Sequence, residues 1–143
     1  DDIIVKIFER KIRKRFEDCN IILSGRLGMR ELMDIELSAD IFIHPSHIDN
    51  SPNSVCEAML LGMPVVATFT GGTGSLLKDR EEGLLIQDGD PYAMAGAMLD
   101  MVNDPAYASK LGGNARSRAM SRHNADTINF DLTNIYSAIL KGA

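Results

Sequence analysis

Four short apolar runs, Ile21-Ile22-Leu23, Ile41-Phe42-Ile43, Pro64-Val65-Val66-Ala67 and Leu84-Leu85-Ile86, are each bounded by polar or turn residues and separated by stretches with helical character. Runs of this length, apolar throughout rather than alternating, read as strands buried on both faces. Strand and helix in alternation with short links call for a parallel sheet built from right-handed crossovers, an α/β Rossmann-like fold flanked by helices. The helices between carry their own punctuation. Residues 30–39 form a short one. Residues 52–61 are expected to start from Ser51 as N-cap with Pro52 at the first helical position, and to end at Gly62 and Pro64. Asp90-Pro91 and Asp104-Pro105 repeat the cap-then-proline start, and a last helix is expected over about residues 125–140.

The 143 residues suffice for one globular domain, read as a single partial Rossmann-like unit: a basic helix over 1–20, a βα core over 21–122 and a C-terminal helix over 123–143. A doubly wound sheet ordinarily opens on a strand followed by a glycine turn and has six or so strands. This chain opens on a helix and shows four, so strands are expected to be missing on the N-terminal side. In that opening helix Ile4, Phe8, Ile12 and Phe16 recur every four residues, with Lys6, Arg10, Lys11, Arg13, Lys14 and Arg15 among them. A basic amphipathic helix is suited to the outside of an α/β domain or to peripheral contact with an anionic membrane surface, and the first is favoured.

The net charge of −5 argues against a nucleic-acid partner, which asks for a basic face. Cys19 and Cys56 form no CxxC pair and are too few for a disulfide scaffold, so a reducing cytoplasm is the expected location. No apolar stretch is long enough for a membrane span, and the start lacks a signal-peptide layout and an initiator Met, which points to a piece of a longer protein.

Chemistry concentrates in two segments. Glu57 lies in Ser54-Val55-Cys56-Glu57-Ala58-Met59-Leu60-Leu61, an otherwise apolar helix, where a carboxylate needs a partner, either a basic side chain or a ligand's hydroxyls. The loop from His44 to Ser54 follows a strand and runs into the start of that helix, at the carboxyl edge where open α/β sheets bind ligands. Free amides and the positive dipole end there suit a phosphate. Thr70-Gly71-Gly72-Thr73-Gly74-Ser75 follows the next strand on the same edge, and its amides are expected to donate to anionic oxygens. His44, His47 and Asp49 match no zinc spacing, so no metal site is assigned to them.

The run Ala39-Asp40-Ile41-Phe42-Ile43-His44-Pro45-Ser46, followed by residues 57–67, Gly71-Gly72 and Gly83-Leu84-Leu85-Ile86, resembles the C-terminal domain of the group 1 (family 4) glycosyltransferases, retaining enzymes of the GT-B fold that use nucleotide sugars. The similarity covers about residues 21–140. It implies that two acidic residues eight positions apart, Asp49 and Glu57, flank the donor and form the catalytic pair. Asp49 would reach hydroxyls of the transferred sugar and Glu57 the ribose hydroxyls. Asn50, Ser51, Asn53, Ser54, Gly71, Gly72 and Thr73 would line the donor site, with Leu27 of Gly25-Arg26-Leu27-Gly28 near the base. Asp49 stands where the family pattern has Glu, and Asn50-Ser51-Pro52 replaces a Gly-aromatic-Gly.

The resemblance further implies a nucleotide-sugar substrate, no metal or other cofactor, and a role in polysaccharide or glycoconjugate biosynthesis. It places the acceptor-binding N-terminal domain and the basic pair that neutralises the diphosphate upstream of this chain, so the chain alone is expected to be inactive. The alternatives are a non-catalytic nucleotide-binding scaffold of the same fold, which the departures at residues 49–52 keep open, and a GT-B sugar-nucleotide epimerase.

Overall fold

The computed structural model describes residues 6, 7, 10, 11, 15 and 20–142. The residues on which the expected N-terminal amphipathic helix rests, Ile4, Phe8, Ile12 and Phe16, lie outside them, as does Cys19. Contacts divide the chain into two compact units, Asp1–Leu32 and Met33–Ala143.

Met33–Ala143 holds a three-stranded parallel sheet in the order β1 (Phe42–His44), β2 (Val65–Thr68), β3 (Leu84–Ile86). Phe42 pairs with Val65, and Val66 with Leu84. Between β1 and β2 runs α2 (Asn53–Leu61), and between β2 and β3 the single turn α3 (Thr73–Leu76). After β3 come α4 (Pro91–Asn103), α5 (Pro105–Arg122) and α6 (Ala125–Gly142). The short helix α1 (Met29–Ser38) spans the division between the units.

The pleat of β2 explains the two-sided core. All four of its residues are buried, and successive side chains face opposite ways. Val65 and Ala67 join Val55, Ala58 and Met59 of α2, Leu76 of α3, and Ala115 and Ala119 of α5. Val66 faces the other side, with Leu84, Ala97 and Met101 of α4, and Ala108 and Leu111 of α5. The long helix α5 thus contributes to both layers, its first half to one and its second half to the other.

Local chemistry sets most helix ends. The Asp90 carboxylate accepts from the amides of Tyr92 and Ala93 at 3.0 and 2.9 Å, and Asp104 accepts from Tyr107 at 2.9 Å. Both starts are as the Asp-Pro pairs predict. Gly62 closes α2 in the left-handed region (φ 78°), donating to the carbonyls of Ala58 and Met59. Arginines on α5 satisfy further carbonyls: Arg116 donates to Leu60 O at 2.6 Å, Arg118 to Leu76 O at 2.7 Å, and Arg122 to Ser75 O at 2.9 Å.

Three expectations are corrected. Ile21-Ile22-Leu23 is not a strand: it forms no ladder among the described residues and its side chains are exposed. Apolar character favours extension, but a strand exists only through a hydrogen-bonded neighbour. At the start of α2 the cap is Pro52, with no side-chain hydrogen bond, rather than Ser51. The Ser51 amide is turned to the carboxylate of Asp49 instead, at 3.1 Å. The segment read as a glycine loop over residues 70–75 becomes helical at Thr73, because the amides of Thr73 and Ser75 find carbonyls within it, on Thr70 and Gly72.

Candidate functional site

Every loop leaving the carboxyl end of a strand is tied to a neighbour. After β1, the carbonyl of Ser46 accepts from the hydroxyls of Thr68 and Thr70, at 2.5 and 3.1 Å. The two threonines thereby fasten the β1 loop to the end of β2. Further along, His47 Nδ1 lies 2.6 Å from Asp88 Oδ1, linking the same loop to the turn after β3. A cavity of about 290 Å³ lies beneath that link, bounded by Pro45, His47, Thr68, Ile86, Asp88 and Met94.

The glycine pair makes the closest approach. The amide of Gly72 donates to the carbonyl of Asp49 at 3.2 Å. A Cβ on Gly71 would sit 1.9 Å from the Asp49 oxygen, and one on Gly72 would sit 1.9 Å from that of Asn50. No L side chain fits in either gap, so the two backbones touch only because both residues are glycine. Gly71 also has a positive φ of 48°.

This arrangement changes which amides are free. Gly72 N is spent on Asp49 and Thr73 N on Thr70, so of the three expected donors only Gly71 keeps an amide without a backbone acceptor among the described residues. Thr73 is fully buried, and its hydroxyl oxygen has no partner there. The start of α2 supplies the rest. No side chain caps it, so the first-turn amides of Asn53 and Ser54 are left for solvent or a ligand, at the positive end of the helix dipole. Asn53 is exposed and Ser54 half-buried.

Asp49 sits in this loop half-buried. Its Oδ1 accepts from Ser51 N, a turn typical of aspartate, and its Oδ2 is 3.5 Å from His44 Nε2. Asn50 and Ser51 are exposed beside it. Glu57 corrects the sequence reading: it is exposed, with no hydrogen bond or ion pair from its carboxylate among the described residues. The apolar positions of α2 turn Val55, Ala58 and Met59 inward and leave position 57 on the outer face. Leu27 belongs to Asp1–Leu32, half-buried beside Gly25, which has φ 64°.

Among the described residues the buried carboxylate is Glu36 on α1, 7% exposed and missed by sequence reasoning. Burial raises its pKa above the ordinary 4.5, and the charge of Glu57 raises it further. A carboxyl group raised in the folded state destabilises the fold once the pH exceeds its unfolded value, and the penalty is complete above the raised one. Glu36→Gln is therefore expected to raise the denaturant midpoint at pH 7. The gain should vanish as the pH falls below about 4.5, where both states are protonated. An equal gain at pH 4 and pH 7 would show that the charge is not its cause. Burial also pushes the Cys56 thiol up against the opposing charge of Arg122, which keeps it protonated and unsuited to nucleophilic work.

Thr68 and Thr70 were equally unmarked, since nothing in a threonine at the end of an apolar run distinguishes a loop clamp from a strand residue.

The chain is 29% identical over 119 residues to the D-inositol 3-phosphate glycosyltransferase of Streptomyces avermitilis, covering 80% of this chain and 25% of that protein. Among solved structures it is similar to the sucrose-phosphate synthase of Thermosynechococcus elongatus, with a TM-score of 0.83 at 25% identity over 96% of this chain and 35% of that one. It is also similar to the Anabaena protein HepE in complex with UDP, with a TM-score of 0.81 at 26% identity over 94% of this chain and 36% of that one. The chain thus spans about a quarter of the curated relative and about a third of each solved chain. The parallel sheet with its flanking helices is the Rossmann-like fold of the GT-B glycosyltransferases. No helix among the described residues is long and apolar enough to cross a membrane. Residues 6–118 match the family "Glycosyl transferases group 1", and the chain belongs to that family of glycosyltransferases.

Proposed function

We propose that this chain is the donor-binding domain of a retaining glycosyltransferase that moves a sugar from a nucleoside diphosphate to an acceptor hydroxyl in polysaccharide or glycoconjugate synthesis. The observation that carries this reading is the uncapped start of α2 between Asp49 and the exposed Glu57, which has no partner among the described residues, with Gly71-Gly72 pressed against the same loop. Family membership and the UDP held by one solved relative support it.

In this reading the amides of Asn53, Ser54 and Gly71 face the diphosphate. Negative charge grows on that group as the glycosidic bond breaks, and fixed donors aimed at it lower the barrier. The charge falls to these amides and to basic side chains elsewhere in the full protein, with no metal invoked. Glu57 accepts from the ribose hydroxyls, and Asp49 accepts from hydroxyls of the transferred sugar. The acceptor binds on another domain of the full protein.

Calorimetry on the full-length protein with UDP, GDP and ADP tests the site. One of the three is expected to bind in the micromolar to millimolar range usual for substrates. Asp49→Ala should lower kcat by about 100-fold, the scale on which a well-placed polar contact in a transition state acts. Absence of binding by all three nucleotides, or an unchanged kcat, refutes the corresponding half of the reading.

A further inference from the structure

We infer that His44 is a positioning residue for Asp49: its imidazole, fixed by the last residue of β1, sets the rotamer in which the Asp49 carboxylate meets the donor sugar. This rests on the donor-site reading above. It concerns a side chain to which neither the family resemblance nor that reading gives a role.

His44 pairs with Ala67 in the β1–β2 ladder, so its Cα is held by strand hydrogen bonds rather than by the loop. Its side chain is 14% exposed, and Nε2 has no hydrogen-bond partner among the described residues. A buried ring nitrogen left without a partner is costly, so it should engage whatever acceptor lies nearest. That acceptor is Asp49 Oδ2, at 3.5 Å. The distance exceeds the usual N–H···O range of 2.7–3.2 Å by a few tenths of an ångström, which a small rotation of either side chain removes.

The carboxylate has reason to stay. Its other oxygen, Oδ1, already accepts from Ser51 N, and its own backbone carbonyl accepts from Gly72 N. Two fixed amide donors, one from the turn and one from the glycine pair, therefore hold Asp49, and the strand-held imidazole of His44 lies beside its second oxygen. A carboxylate offers about four acceptor positions, so two such contacts leave room for a sugar hydroxyl. At 30% exposure the side chain remains accessible from outside. Fixed contacts on a partly accessible carboxylate give the group a direction. Aspartate is one methylene shorter than glutamate, so its reach depends more strongly on that direction than a longer side chain's would.

The nucleotide and sugar arms separate in the experiment. In the full-length protein, His44→Leu is expected to leave affinity for the bare nucleoside diphosphate within about twofold. Affinity for its sugar conjugate should fall by about tenfold, and kcat by at least as much. His44→Gln, whose amide N–H reaches a similar point, should recover most of both. Equal loss for the nucleotide and its sugar conjugate would mean a general disturbance of the fold. No loss for either would mean that Asp49 needs no support. Each of these overturns the inference. If the wild type binds no nucleoside diphosphate, the donor-site reading itself fails, and imidazole NMR then judges the contact alone. A protected His44 Nε2–H signal that is lost in Asp49→Ala supports the pairing, and an Nε2 that is unprotonated or freely exchanging in the wild type overturns it.

Discussion

Replacing Glu57 by alanine is expected to weaken nucleoside diphosphate binding by the full-length protein by about 100-fold or more. A hydrogen bond to a charged group contributes roughly 1.5–3 kcal/mol, and a ribose presents two adjacent hydroxyls to one carboxylate. Losing both is enough to take a micromolar ligand to the millimolar range. The folded protein should be little affected, because Glu57 is exposed and supports no neighbour. Its removal even relieves the repulsion that helps raise the Glu36 pKa, so stability at pH 7 should hold or rise slightly. That pairing of lost affinity with retained stability is the discriminating result. Glu57→Gln keeps an acceptor but no charge, and should fall between the two. A ribose-lacking diphosphate such as inorganic pyrophosphate should bind wild type and Glu57→Ala alike. If Glu57→Ala binds the nucleotide as wild type does, the ribose is held elsewhere.

The sequence spoke most clearly where a single residue's own chemistry decides the outcome. Asp90 and Asp104 cap helices because each carboxylate reaches amides two or three residues ahead, and Gly62 ends α2 because it tolerates a left-handed turn. Runs such as Val65-Val66-Ala67 become strands because both faces meet helices. Legibility fails where a distant segment decides. Ile21-Ile22-Leu23 looks no different from a strand, but a ladder needs a second chain segment. Apolar neighbours in sequence made Glu57 look buried, whereas on a helix the inward face is set by positions three and four apart, and these are Val55, Ala58 and Met59. Glu36, flanked by Ile35 and Leu37, carried the same ambiguous signal and is the one that packs inside.

Ser51 illustrates a third kind of failure, in which two local turns compete to set the backbone of one residue. A serine before proline is a favourable N-cap, but Asp49 two residues earlier captures the Ser51 N–H in its own turn. The helix that follows is left uncapped, and its free amides are the feature on which the proposed diphosphate contact depends. A departure from best local stability at this place is what a ligand-binding helix start requires, since a capped one would have its donors already engaged.

The second large effect is expected at Gly72. Its φ of −84° and ψ of −3° are open to any residue, so alanine there introduces no backbone strain and acts by volume alone. The new Cβ would lie 1.9 Å from the Asn50 carbonyl oxygen and 3.0 Å from its carbon. Both are backbone atoms, so no side-chain rotation relieves the clash and the loops must part by an ångström or more. Parting them breaks the Gly72 N to Asp49 O hydrogen bond and moves Asp49 together with the start of α2. Overpacking of this kind costs about 1–3 kcal/mol in stability, which a domain of this size survives. Displacing groups that contact a reacting substrate by about 1 Å can cost 100-fold in rate, so under the proposed function kcat in the full-length protein should fall much further than the unfolding midpoint. Gly96→Ala is the matched control. It lies inside α4 with nothing within 4 Å of its added Cβ, and should stabilise the protein by up to about 1 kcal/mol without touching the site. Should Gly72→Ala instead retain full turnover, the contact between the two loops would be a matter of packing alone, and Asp49 would not depend on it for its position.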